Sequence, residues 1–87
     1  MKIVIIRHPG DNGRYLFEVS PYKTLVKGDF ALVRNKNGLT VGECMCSSFD
    51  VDETVFEELR LKFGAAKELK PVVGIMIKQF WEVENEP

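Results

Sequence analysis

Hydrophobic and polar positions change their spacing about halfway along the chain. Up to residue 46 they alternate in short runs broken by glycine-rich turns, the period-two signature of strands. Lys2–Arg7 is apolar and β-branched, Pro9-Gly10-Asp11-Asn12-Gly13 is dense in turn residues, and Tyr15–Val19 follows with Tyr15, Phe17 and Val19 on one face. These two runs predict a hairpin. Ser20-Pro21-Tyr22-Lys23 leads through Leu25-Val26-Lys27 to a Gly28-Asp29 turn, which opens into the strand Phe30–Arg34. Asn35-Lys36-Asn37-Gly38 suits the positive φ of a tight hairpin turn. Leu39–Cys46 is the return strand, and Gly42 inside it marks a bulge or sharp bend.

From Ser48 onward the spacing becomes helical. Val55, Phe56, Leu59, Phe63 and Ala66 recur at three and four residues, which predicts a helix over about 51–69 with that stripe buried. Asp50 with Glu53 has capping-box spacing, and Asp52 is an equally good N-cap. Asp52, Glu53, Glu57 and Glu58 crowd the start, where the helix dipole favours carboxylates, and Arg60, Lys62 and Lys67 follow. Gly64 either ends the helix or precedes a last turn or short second helix over Ala65–Lys70; Pro71 stops both. A closing strand covers about 72–83, with Val73, Ile75, Ile77 and Trp81 on one face. The expectation is a mainly β single domain over 1–87 with one helix, in the order ββββ-α-β. A small SH3-like barrel with strands in 1–46 and the helix inserted before the closing strand is the expected architecture. Sheet twist and internal glycines favour it over the alternative, an open α+β sheet with the helix on one face.

A resemblance rests on Tyr15-Leu16-Phe17, Leu25-Val26-Lys27-Gly28-Asp29-Phe30-Ala31-Leu32-Val33 and Gly38-Leu39-Thr40-Val41-Gly42-Glu43. This layout resembles many SH3-like barrels, among them small uncharacterised proteins of phages and mobile elements. More distantly it is similar to the 3′-end DNA-binding domain at the amino terminus of the primosomal helicase. The resemblance covers about half the chain. It implies that the Gly28-Asp29 turn launches a strand and that Gly42 lets the return strand coil. Cys44 stands where such barrels usually carry a β-branched residue, and the helix and the Val72–Val83 strand have no counterpart, so no site is carried over.

Composition narrows the function classes. With 87 residues, 45% hydrophobic and 29% charged, the chain is globular and has room for one domain. A chain this short buries only about 60–65% of its unfolded surface, so its core is efficient or shared with a partner. No stretch approaches the ~18–20 apolar residues of a membrane span. The apolar start is too short for a signal-peptide core, which reads as a cytoplasmic protein without a membrane partner. Cys44 and Cys46 are too few and too close for a disulfide framework. As a Cys-x-Cys in a strand they share a face, yet His8 is the sole imidazole and paired ligand knuckles are missing, so no metal or other cofactor is expected. A thiol nucleophile lacks an orienting third residue, and no phosphate-binding glycine loop is present. The chain does not read as an enzyme.

Charge points to binding instead. The net charge is only −1, but residues 1–46 hold seven Lys and Arg against four acidic residues, whereas 47–87 hold five against nine. The total is a cancellation of +3 and −4. The expected function is a non-catalytic module acting through protein–protein contacts, with Asp52, Glu53, Glu57 and Glu58 facing the partner. The resemblance implies an accessory protein of a phage or mobile element. The alternative is a single-stranded nucleic-acid-binding barrel using Arg7, Arg14, Arg34 and Lys36 with Tyr15 and Tyr22. An open strand edge also leaves room for a small homo-oligomer.

Overall fold

The computed structural model describes residues 1–35 and 38–76. The chain forms strands β1 (Lys2–Arg7), β2 (Tyr15–Val19), β3 (Phe30–Asn35), β4 (Gly38–Cys44) and β5 (Phe49–Asp50), helix α1 (Glu53–Phe63) and strand β6 (Val72–Met76). The fold is mainly β with one helix. Its antiparallel sheet, in the order β2-β1-β4-β3-β6, curls into a half-barrel. Among the described residues the two edges meet at a single parallel bridge between Glu18 and Pro71, where the Glu18 amide donates to the Lys70 carbonyl at 3.0 Å.

Both expected hairpins form. β1 pairs β2 from Lys2↔Val19 to Ile6↔Tyr15, and β3 pairs β4 from Phe30↔Glu43 to Asn35↔Gly38. The β2 alternation holds for Phe17 and Val19, which are buried, while Tyr15 sits exposed at the rim. The core inside the curl comprises Val4, Ile6, Phe17, Val19, Leu25, Ala31, Val33 and Cys44. Leu25 reaches it from a loop, fixed by bonds from its amide to the Ser48 hydroxyl at 3.0 Å and from the Ser48 amide to its carbonyl at 2.9 Å. Gly28 (φ 95°) and the buried Asp29, whose carboxylate accepts the Val26 amide at 3.0 Å, make the turn that launches β3.

Several expectations are corrected. The order gains β5, because the chain after β4 continues along β1: Cys44 pairs Ile6, and Phe49 pairs Ile3. Five steps on one side match three on the other; Met45 still donates to the Ile5 carbonyl at 2.9 Å, so the excess falls in residues 46–48, and Cys46 lies beyond the strand that was to hold both cysteines. Gly42 is not a bulge, since the β3–β4 register runs past it unbroken. A side chain there would collide with the Ile6 Cγ2 methyl, so its role is close approach of β1. The irregularity lies between β3 and β6. Leu32 faces Gly74 but Val33 faces Val72, which leaves Val73 unpaired. This slip breaks the expected alternation: Val72 and Ile75 pack on the core and Val73 is exposed. Ile77, Trp81 and the rest of the closing strand to 83 lie outside the described residues.

α1 is shorter than 51–69. Asp52 is the N-cap, its carboxylate accepting the Val55 amide at 2.8 Å, whereas Asp50 is taken by β5. Gly64, left-handed at φ 66°, ends the helix in a Schellman motif: its amide bonds to Leu61 and the Ala65 amide to Arg60. Residues 65–70 are not helical, and Ala66 is exposed outside α1. The predicted stripe is not buried either. No residue of α1 is buried; Phe56, Leu59 and Phe63 are half-covered, and Val55 is 42% exposed. α1 approaches the sheet at β2. Pairing places Ile3 and Leu16 on the outer face of the β1–β2 hairpin, away from the barrel core, and both are buried.

Candidate binding surfaces

The four acidic positions have different roles. Asp52 is spent on the N-cap. Glu57 receives both prongs of the Arg60 guanidinium at 2.6 and 3.0 Å, and that hydrogen bond holds its carboxyl below the usual range. Arg60 also donates to the Ala65 carbonyl at 3.3 Å, tying the ion pair to the C-terminal cap. Glu53 and Glu58 are exposed, and their carboxylates make no hydrogen bond or ion pair with another described residue. Helical spacing puts Thr54, Glu57, Glu58 and Leu61 on the side opposite Phe56, Leu59 and Phe63. Leu61 is 69% exposed there, an apolar knob beside two carboxylates.

The basic and aromatic set does not form one groove. Arg7 is paired with Glu43 at 3.0 Å across β1 and β4. Arg14 folds back onto the Asn12 and Gly13 carbonyls at 3.1 and 3.3 Å. The Tyr15 hydroxyl donates to Asp11 at 2.6 Å, and its ring lies 5.2 Å from the His8 ring, which also meets Phe17 edge-on. The Tyr15 hydroxyl and the Gly13 amide together hold the Asp11 carboxyl below its ordinary value, and Asp11 in turn pushes the Tyr15 phenol up. Tyr22 is 95% exposed in a turn gripped by Lys2, whose ammonium donates to the Pro21 and Lys23 carbonyls. That turn is at the other end of β1 from Arg7, roughly 17 Å away at strand rise. Lys36 lies outside the described residues.

Arg34 and Tyr15 do come together. They line a groove of about 310 Å³ between the β2 edge and the chain after α1, with Leu16, Phe63, Leu69 and Lys70. A second cleft, about 290 Å³, adjoins it and shares Arg34 and Lys70. Sequence reasoning missed Lys70 and Leu16 because only the curl of the sheet brings the 64–70 segment beside β2.

The thiols are separated in character. Cys44 is fully buried, and burial pushes its thiol up to about 11; Cys46 is partly exposed and packs against the core rim. His8 lies tilted against Tyr15 and edge-on to Phe17. Among the described residues no three His, Cys, Asp or Glu side chains converge as metal ligands, and no helix is long and apolar enough to cross a membrane. Comparison with known proteins found no matching family model, no matching curated protein and no matching solved structure. No family is assigned, and the resemblance to phage and mobile-element barrels rests on its glycine and β-branched pattern alone.

Proposed function

We propose that this protein is a non-catalytic binding module that engages a partner protein through the outer face of α1. The observation that carries the reading is that α1 has no buried residue although its sequence is amphipathic. The helix is held by its own caps and by the Arg60–Glu57 pair, while Leu61 and Glu58 face outward and Glu53 is exposed at the first turn; neither glutamate has an ion pair with another described residue. An exposed leucine beside two carboxylates suits a partner with an apolar pocket bordered by basic residues. The dispersal of Arg7, Arg14, Arg34 and Tyr22 weighs against the nucleic-acid alternative, and the low nucleophilicity expected of a buried thiol weighs against an enzyme.

The test is comparative capture from host-cell extract with the wild-type chain, a Glu53→Lys/Glu58→Lys variant and a Leu61→Ser variant. All three positions are exposed, so the fold survives. A partner retained by wild type at moderate salt and lost by both variants supports the reading. Equal capture by all three removes α1 from recognition. Glu57 is left out because its reversal would break the pair with Arg60.

A further inference from the structure

A surface separate from the outer face of α1 carries a second binding role. We propose that the groove between β2 and residues 64–70 receives an extended acidic–apolar peptide segment of another protein, which pairs with the β2 edge and sets a carboxylate against Arg34 and Lys70. Three observations converge on that occupant.

The first is the backbone. The Glu18 amide points away from β1, since it bonds to the Lys70 carbonyl at 3.0 Å. In an antiparallel pair alternate residues face the same way, so the N–H and C=O of Leu16 are directed outward as well, into the groove that Leu16 lines. Lys70 and Pro71 meet this edge at Glu18 by a single bridge, and the bridge does not extend to Tyr15–Phe17. Leu16 as a whole residue is 5% exposed, so a strand adding here would reach these main-chain groups through the groove.

The second is the floor. Tyr15, Phe63 and Leu69 present apolar surface, and at about 310 Å³ the groove is at the lower end of ligand clefts, enough for a few residues. The third is charge. Arg34 and Lys70 line both this groove and the adjoining cleft, and neither has an ion pair with another described residue; among the described residues Glu68 is the one carboxylate in the lining. A phosphate would also suit the two cations. The outward-directed N–H and C=O of Leu16 are complementary to a peptide main chain, however, and not to a sugar–phosphate one.

The experiment is selection from a library of random twelve-residue peptides against the intact protein, followed by amide NMR of the winners. The expected result is a consensus of alternating apolar residues with a nearby Glu or Asp. Its binding should shift the Leu16, Glu68 and Lys70 amides, leave Thr54 and Leu61 unmoved, and weaken at least tenfold in Arg34→Glu/Lys70→Glu. Both substitutions are at exposed positions, and an otherwise unchanged amide spectrum verifies the fold. Recovery of no peptide, equal binding to the double variant, or shifts confined to α1 would overturn the proposal. Displacement of the peptide by a single-stranded oligonucleotide at low salt would overturn it in favour of nucleic acid. None of these failures bears on capture through α1, which is read by Glu53, Glu58 and Leu61.

Discussion

Cys44 and Gly42 both sit where β1 crosses β4, and each is fixed by lack of room. Burial pushes the Cys44 thiol from 9.0 to about 11, so the folded chain favours the neutral form. A raised pKa contributes stability that is complete below pH 9 and is lost as pH rises through about 11. Urea midpoints should therefore fall across that window, and the fall should be shallower in Cys44→Ala, where the remaining titrations persist. At pH 8 a mild alkylating agent should modify Cys46 ahead of Cys44 in the folded protein; equal labelling would show that the core opens there. Gly42 was legible as special, but the reason was not. A glycine in a strand signals a bulge or a close neighbour equally well, and only the Ile6 methyl against it distinguishes the two.

At the level of elements, α1 depends on its ends to an unusual degree. With no residue buried, its caps contribute a large part of what keeps it formed. Asp52→Ala should cost about 1 kcal/mol, and Asp52→Asn should restore most of it. Gly64→Ala, at φ 66°, should cost about another 1 kcal/mol. Urea unfolding followed by far-ultraviolet CD measures both; an unchanged midpoint in the two variants would mean the helix is held by packing instead. The existence of α1 and of both hairpins was readable because periodicity and turn residues are local. The choice between Asp50 and Asp52 was not, since both have cap spacing and the rival use of Asp50 in β5 depends on β1, nearly fifty residues earlier. Likewise the apolar spacing of Phe56, Leu59 and Phe63 tells which side turns inward but not how much partner surface waits there. Val73 fell on the wrong face because a bulge reverses parity without leaving a mark in a single sequence.

For the molecule as a whole, the decisive feature is a half-barrel whose two edges meet, among the described residues, at one bridge. The Glu18 amide bonds across the seam to Lys70 with no continuous ladder beside it, whereas the Val4 amide lies between two paired neighbours within β1. Native-state hydrogen exchange should release Glu18 well before Val4, because local opening of the seam leaves the core intact. Equal protection would mean that the circle is complete. The curled sheet could be anticipated from its strand order and glycines, but the seam could not, and the groove beside it owes its membership to residues as distant as Tyr15, Arg34 and Lys70. Those residues were picked out, where they were picked out at all, for their charge or aromaticity and not for their company. The bare outer side of α1 has one more consequence. The residues that make this chain fold and those of the proposed partner face barely overlap, so Thr54, Glu58 and Leu61 are free to drift from one lineage to the next. Relatives should keep the barrel and change the helix, each matched to its own counterpart.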